Sequence, residues 1–137
     1  MIYLIDTNVI SELTKKKPNE NVLKFMRGLD DSYISIISIH ELSYGVELKP
    51  KGKAKDQLFE VVGDLVSTFK NQIIPIDQKE ATIAGRLRAK AQAQGKTVHM
   101  ADALIAATAH IRSLTVATRN IKDFEGLDVN LFNPWNE

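Results

Sequence analysis

The chain begins with Met1-Ile2-Tyr3-Leu4-Ile5-Asp6-Thr7-Asn8, an apolar run that ends at a carboxylate. Residues 2–5 are rich in branched and aromatic side chains, which predicts a strand buried on both faces, as in the middle of a parallel sheet. A helical pattern follows from Val9. In open α/β sheets the ligand crevice lies beyond the carboxyl ends of the strands, where strand order reverses. Asp6 is therefore a candidate functional residue, and the alternative is that it serves only as the N-cap of the next helix.

Short apolar segments alternate with helical patterns along the rest of the chain. Further strands are predicted at residues 33–37, 73–76, 114–118 and 129–132, and Pro75 places the strand at 73–76 near a sheet edge. Helices are predicted between them, including one at 77–94 that starts with the capping box Asp77-x-x-Glu80 and stops before Gly95. The alternation predicts an α/β fold with a parallel sheet of four to five strands. The 137 residues fit a single domain, 1–137.

The composition excludes several classes of site. The chain is 44% hydrophobic and 26% charged, which is ordinary for a soluble globular protein. It has no cysteine, so a disulfide, a thiolate metal site and a cysteine nucleophile are excluded. No apolar run reaches membrane-spanning length, and we expect a cytoplasmic protein without a membrane partner. The net charge of +1 is uninformative about polyanionic partners, and the lysine clusters at 15–17 and 49–55 fit a solvated face as well as a nucleic-acid surface.

Asp102 is the most informative carboxylate of the sequence. It is the one charged residue in the helical stretch 101–109, and its helical neighbours Ile105, Ala106 and Ala109 are apolar. An ionised carboxylate in an apolar setting is costly unless a cation or strong hydrogen-bond donors compensate it. The alternative, a first-turn Asp that interacts with the helix dipole, is worth only ~0.3–1 kcal/mol and suits an exposed position better. We therefore interpret Asp102 as a functional residue.

Glu41 and Asp123 are more ambiguous. Glu41 lies just beyond the second predicted strand, but Ser38-x-x-Glu41 also has the form of a capping box at a helix start. Asp123 follows the fourth strand and could equally be a loop residue beside a lysine. Thr118 and Asn120 add short polar side chains at that strand end.

The candidate carboxylates Asp6, Glu41, Asp102 and Asp123 map to one edge of the predicted sheet. Carboxylates brought together raise one another's pKa values unless a cation neutralises them. Oxygen ligands without thiolates suit Mg²⁺ or Mn²⁺ better than zinc. His40 and His99 adjoin Glu41 and Asp102 in sequence, but neighbouring residues on a helix point in different directions, so neither is assigned as a ligand.

These residues resemble the PIN-domain nucleases, and within them the virulence-associated protein C type toxins of bacterial toxin–antitoxin pairs. The resemblance lies in four blocks that occur in the family's order, namely residues 4–13, 38–45, 101–109 and 116–124. The ending Phe132-Asn133-Pro134-Trp135 is similar to that of the fast-intracellular-trafficking branch.

The resemblance implies a three-layer α/β/α fold that binds Mg²⁺ or Mn²⁺ and cuts RNA, as well as a homodimer and an antitoxin that lays a peptide across the acidic cleft. Asp6, Glu41 and Asp102 match the family's three core acidic positions. The fourth acid varies among members between the positions of Asn120 and Asp123, and we assign it here to Asp123. Supporting roles around the acids are assigned to the polar side chains of Thr7, Asn8, Thr118 and Asn120.

The sequence therefore predicts a metal-dependent endoribonuclease that is the toxin of a type II toxin–antitoxin pair and hydrolyses RNA phosphodiester bonds. RNA would be attracted by local basic groups, for which Arg119, Arg86, Arg88 and the lysine clusters are candidates. A competing hypothesis is a haloacid-dehalogenase-like phosphohydrolase with Asp6 as nucleophile, although such enzymes usually have a second Asp at the position of Asn8. A non-catalytic receiver-like module and a PIN-fold protein that only binds RNA or protein also remain open.

Overall fold

The computed structural model describes residues 1–136, which form a five-stranded parallel sheet with helices on both faces. The strands are β1 (Tyr3–Ile5), β2 (Ser32–Ser35), β3 (Ile73–Ile74), β4 (Thr115–Ala117) and β5 (Asn130–Phe132). The helices are α1 (Thr7–Glu12), α2 (Glu20–Arg27), α3 (Ile36–Glu47), α4 (Lys53–Thr68), α5 (Gln78–Ala93), α6 (Met100–Arg112) and α7 (Ile121–Phe124). The predicted α/β class and parallel sheet are confirmed.

Strand β1 lies at the centre of the sheet, whose order is β3-β2-β1-β4-β5. Leu4 pairs with Tyr33 of β2 on one side and with Val116 of β4 on the other. The chain builds the sheet outward from β1 to β3 and then returns to place β4 on the opposite side of β1. Strand order thus reverses beside β1, which puts the expected ligand crevice at its carboxyl end.

The sheet separates two hydrophobic cores. Leu4 and Val116 point into the core formed with α5, α6 and the segment around Phe124, whereas Ile5 packs into the core formed with α1, α2 and α3. Adjacent residues of a strand face opposite sides, so a strand between two helical layers must be apolar at every position. The exposed fractions of 0% for Leu4 and 1% for Ile5 confirm two-sided burial for these residues, whereas Ile2, the first residue of the predicted strand, lies before β1 and is 43% exposed.

The predicted second strand is too long at its carboxyl end. It stops at Ser35, and α3 begins at Ile36, with the Ser35 hydroxyl accepting the backbone N–H of Ile37 at 3.0 Å. Ser38 and Glu41 therefore lie inside the helix, and their interpretation as a capping box is wrong. Short apolar runs do not distinguish a buried strand from the first turn of a helix, and Ile36 is in fact 42% exposed.

Several local predictions agree with the structure. The Asp77 backbone N–H donates to the Glu80 carboxylate at 2.8 Å in the predicted capping box, and Gly95 has the positive φ of 82° that ends the segment after α5. Strand β3 lies at a sheet edge, as expected from Pro75. The sequence did not predict α7, a single turn anchored by the buried Phe124. None of the helices within residues 1–136 is both long and apolar enough to cross a membrane.

Candidate functional site

A cleft of about 410 Å³ opens at the carboxyl end of β1. It brings together the predicted site residues Asp6, Glu41 and Asp102, which come from the end of β1, from α3 and from the first turn of α6. The cleft is lined by Asp6, Thr7, Asn8, Ser11, Glu12, Lys15, Glu41, Asp102, Arg119, Asn120 and Trp135. Residues separated by more than a hundred positions in sequence thus share one site.

Asp6 is the most tightly held of the three carboxylates and is only 6% exposed. One carboxylate oxygen accepts the backbone N–H of Thr7 at 2.8 Å. The second oxygen accepts the Thr118 hydroxyl at 2.8 Å and the Asn8 side-chain amide at 3.2 Å. Asp6 is therefore the N-cap of α1 and also lines the cleft, and its functional role stays a prediction.

Glu41 is oriented by a chain of hydroxyl groups. Thr7 Oγ1 lies 2.7 Å from Glu41 Oε1 and 2.8 Å from Ser38 Oγ. An ionised carboxylate only accepts, so the single Thr7 proton is directed to Glu41 and the Ser38 hydroxyl can donate to Thr7. This contact connects the first turn of α1 to α3 and sets the direction of the Glu41 side chain.

The electrostatics of the cleft favour a cation. Burial raises the pKa of Asp6, opposed by its hydrogen bonds and assisted by the charges of Glu41 and Asp123. Burial also raises the pKa of Asp102, to about 6, and the charges of Asp6, Asp123 and Glu41 add to the effect, with a small opposing contribution from His99. Carboxylates whose pKa values are raised in this way are stabilised in their ionised form when a cation binds beside them.

The donor set fits a hard divalent cation bound partly through water. Within residues 1–136, no three carboxylate or imidazole groups lie close enough together to ligate one ion directly. Mg²⁺ usually keeps several of its waters and is held by one or two carboxylates, so close convergence of three acids is not required. The oxygen-only character of Asp6, Glu41 and Asp102 and the raised pKa values of Asp6 and Asp102 suit this mode of binding.

Asn120 and Asp123 occupy different places beyond β4. Asn120 lines the cleft, and its backbone N–H donates to the Thr118 hydroxyl at 3.0 Å. The side chain of Asp123 is exposed and lies outside the lining, but its charge is near enough to raise the pKa of both Asp6 and Asp102. The choice of Asp123 as the fourth acid stays a prediction.

Glu12 is a cleft residue that the sequence pattern did not reveal. It is 6% exposed, and its carboxylate contacts Lys15 Nζ at 2.8 Å and accepts the Asn19 backbone N–H at 2.9 Å. The hydrogen bond from Lys15 lowers the pKa of Glu12, in contrast to Asp6 and Asp102. Glu12 is thus already neutralised by a cation of the chain, and the spacing of three residues between Glu12 and Lys15 was the signal that could have revealed the pair.

The structure also distinguishes among the basic candidates. Arg119 lines the cleft, with its guanidinium carbon 5.1 Å from the centre of the Trp135 ring. Arg88 instead donates to the backbone oxygen of Val98, and neither Arg88 nor Arg86 is part of the lining. Of the lysine clusters, Lys15 reaches the cleft and also borders a neighbouring depression lined in part by Lys16 and Lys49.

Comparison with known proteins agrees with this geometry. The family model described as PIN domain matches residues 3–129. The chain is 42% identical to Toxin FitB of Neisseria gonorrhoeae over 137 residues, covering 98% of this chain and 99% of that protein. It is 34% identical to VapC ribonuclease Y4jK of Sinorhizobium fredii over 136 residues, covering 96% of each.

A solved structure supports the same conclusion. The crystal structure of FitAcB from Neisseria gonorrhoeae aligns with a TM-score of 0.91 at 42% identity and covers 100% of both chains. The family match includes β1 to β4 and every acidic residue predicted for the site, so the resemblance inferred from the four sequence blocks is confirmed. With its central strand, its crossovers and its acidic cleft all inside the matched region, the chain belongs to the PIN domain family.

Proposed function

We propose that this protein is a divalent-metal-dependent endoribonuclease and the toxin of a type II toxin–antitoxin pair, acting in the cytoplasm. The observation that carries the proposal is the convergence of Asp6, Glu41 and Asp102 on one cleft, where burial and the charges of neighbouring carboxylates raise the pKa values of Asp6 and Asp102. The names of its relatives, a toxin and a ribonuclease, support the same activity.

In this mechanism the acidic residues of the chain bind the metal ion, and neighbouring hydroxyl groups orient them. Asp6, Glu41 and Asp102 would hold Mg²⁺ or Mn²⁺, directly or through water, and we infer that Asp123 completes the set from the margin of the cleft. Such an ion, when bound, lowers the pKa of water and neutralises charge on a phosphodiester. Thr118 fixes the direction of the Asp6 carboxylate, as Thr7 does for Glu41, so both acids face the cleft before RNA arrives.

The direct test measures cleavage and metal binding in parallel. Wild-type protein is expected to cleave total bacterial RNA with Mg²⁺ or Mn²⁺ and not with EDTA. Asp102→Asn keeps the shape but removes a charge, so it should lose cleavage and bind Mn²⁺ more weakly in calorimetry. Asp56→Asn, which changes an exposed first-turn Asp of α4, is the matched control and should retain both. Cleavage by Asp102→Asn at the wild-type rate would show that the assignment is wrong.

The same test separates the competing functions. Membership of the PIN domain family argues against a haloacid-dehalogenase-like phosphohydrolase and against a receiver-like module. At the position where such phosphohydrolases usually carry a second acid, Asn8 instead donates its amide to Asp6. A PIN domain that binds RNA without cutting it would show RNA binding and no metal-dependent cleavage by the wild-type protein.

We infer two protein partners, a cognate antitoxin and a second copy of this chain. The repulsive acidic cleft should attract an Arg or Lys of an antitoxin peptide, because an ion pair relieves the carboxylate repulsion. If a neighbouring reading frame encodes the antitoxin, its co-expression should suppress growth inhibition by this protein. Light scattering at micromolar concentrations should give the mass of a dimer, and a monomer across that range would contradict the homodimer.

A further inference from the structure

We propose that Arg119, held in place by Trp135, binds an RNA phosphate next to the one that is cut. The inference rests on the proposed ribonuclease function and adds the side chain that binds the RNA substrate. The acids of the cleft repel RNA in the absence of a cation, so an attraction for the polyanion must come from elsewhere in the site. The basic residues of the lining are Lys15 and Arg119.

Arg119 is the less engaged cation of the pair, since its charge only contributes, after that of Lys15, to lowering the pKa of Glu12. Lys15 is bound to Glu12 at 2.8 Å. In the part of the chain that the structure describes, the ion pairs do not include Arg119, so no carboxylate oxygen lies within 4.0 Å of its guanidinium nitrogens. An exposed guanidinium free of a carboxylate can offer its planar fork of N–H donors to a phosphate.

Trp135 restricts where this guanidinium can go. Its ring centre is 5.1 Å from the guanidinium carbon of Arg119. The Trp135 backbone N–H donates to Asn133 Oδ1 at 2.9 Å, and its carbonyl accepts the Asn21 side-chain amide at 2.9 Å. The ring also packs against the core that contains Ile5. Trp135 is therefore a fixed platform, and the contact reduces the conformational freedom that Arg119 would lose on binding a phosphate.

The backbone of Arg119 is tied to the acidic set itself. Its N–H donates to Asn8 Oδ1 at 3.2 Å, while the Asn8 amide donates to Asp6 Oδ2 at 3.2 Å and to Thr118 Oγ1 at 3.1 Å. Asn8 thus fixes the start of the Arg119 side chain relative to the carboxylate that would hold the metal ion. A phosphate bound by Arg119 is placed beside the reacting phosphate rather than at a remote surface.

The experiment measures RNA binding without cleavage. Fluorescence anisotropy follows a labelled, mixed-sequence single-stranded RNA titrated with full-length Asp102→Asn protein in EDTA, at several salt concentrations. Adding Arg119→Ala should weaken binding about tenfold, the lower end for a hydrogen bond to a charged group. The slope of log K against log salt should fall in magnitude by about 0.7, the value for one phosphate contact on a single strand. Arg112→Ala removes an exposed arginine in the last turn of α6, outside the cleft, and should change neither quantity.

Variants of Trp135 test its positioning role. Trp135→Leu keeps the charge of Arg119, so it should weaken RNA binding while leaving the salt slope unchanged, and Trp135→Phe should restore most of the affinity. Melting temperatures measured alongside identify any variant that fails to fold. A general loss of structure would instead weaken binding in both variants and lower the melting temperature.

The outcomes separate this inference from the proposed function. If Arg119→Ala binds RNA like Arg112→Ala, or if its effect varies with RNA sequence and not with salt, the phosphate contact is refuted while ribonuclease activity can stand. The phosphate contact would also be refuted if Arg119→Ala weakened binding of the antitoxin but not of RNA. If the binding results are as expected but wild-type protein never cleaves RNA, the proposed function fails and the contact stands. Absence of RNA binding in every variant refutes the phosphate contact, and the cleavage test with Mg²⁺ or Mn²⁺ then decides the proposed function separately.

Discussion

Replacing Asp102 with Asn should stabilise the metal-free protein while abolishing RNA cleavage. Burial, and then repulsion from neighbouring carboxylates, raise the pKa of Asp102 from 3.8 to about 6 in the folded state. A shift of about two pKa units corresponds to at most about 3 kcal/mol at 1.36 kcal/mol per unit. The Asp102 side chain is only half-buried, so solvent screening reduces this upper limit. We therefore expect Asp102→Asn to raise the free energy of unfolding by about 1 to 1.5 kcal/mol. This residue is therefore held at a cost to folding, as expected of a group retained for function.

The stability difference between Asp102→Asn and the wild type should depend on pH in a defined direction. Because the folded-state pKa of Asp102 lies above its unfolded value, the folded state binds more protons between pH 3.8 and about 6. The stability of the wild-type protein is therefore lowered by this group as pH rises through that window, and the penalty is complete above it. The advantage of Asp102→Asn should be absent below pH 3.8 and reach its full size by about pH 7.5.

The measurement is thermal or urea unfolding in EDTA at a series of pH values. For a chain of this size, about 1 kcal/mol corresponds to a rise in melting temperature of roughly 3–5 °C. The control Asp56→Asn loses a favourable interaction with the α4 dipole and should destabilise the protein by no more than ~0.3–1 kcal/mol. Excess Mg²⁺ should reverse the order by stabilising the wild type. If Asp102→Asn is less stable than wild type in EDTA at about pH 7.5, the carboxylate serves the fold and this reasoning is refuted.

Three further changes test more of the site and its surroundings. Thr118→Val should lower the free energy of unfolding by about 1–3 kcal/mol. It should also move the acidic limb of the pH–rate profile to higher pH, because the lost hydroxyl lowers the pKa of the buried Asp6 carboxylate; an unmoved limb would contradict this. Ser35→Ala should destabilise the protein by about 1 kcal/mol as the N-cap of α3, whereas the exposed Ser43→Ala on the same helix should stay within about 0.5 kcal/mol. Asp123→Asn should shift the Mn²⁺ activation curve to higher concentration and slow cleavage more than Asn120→Ala does, and the opposite ranking would reverse the assignment of the fourth acid.

The sequence was sufficient to predict those helices and strands whose hydrophobic pattern is compatible with only one kind of element. An all-apolar segment that ends at Asp6 and precedes a helix fits a central parallel strand, and its alternate residues do enter opposite cores. The start of α3 was mispredicted because Ile36 and Ile37 continue the apolar run of β2. Whether the backbone turns there depends on the Ser35 cap and on packing against α1 and α4, and neither is visible in local periodicity.

The candidate site was predictable to the extent that its residues violate local patterns. Asp102 is conspicuous because a charge in an apolar helix face has no local explanation. Glu12 was missed because its pair with Lys15 has the spacing of an ordinary surface pair, and its burial depends on the chain folding back at Asn19. The contact of Arg119 with Trp135 joins two loop positions through tertiary structure alone, so no sequence spacing indicates it.

The carboxylates of the cleft divide into two kinds, and the division decides where each charged ligand can bind. Lys15 lowers the pKa of Glu12, so this acid gains little from a further cation, whereas Asp6 and Asp102 have raised pKa values and do gain. A divalent ion bound in this cleft would therefore be directed to Asp6 and Asp102 and away from Glu12, although all three line the same cleft. Because Glu12 pairs with Lys15, Arg119 is the basic residue of the lining that forms no ion pair within residues 1–136. In the proposed function, the metal ion and the RNA phosphate would therefore bind at separate points of a chain whose net charge of +1 gives RNA no general attraction.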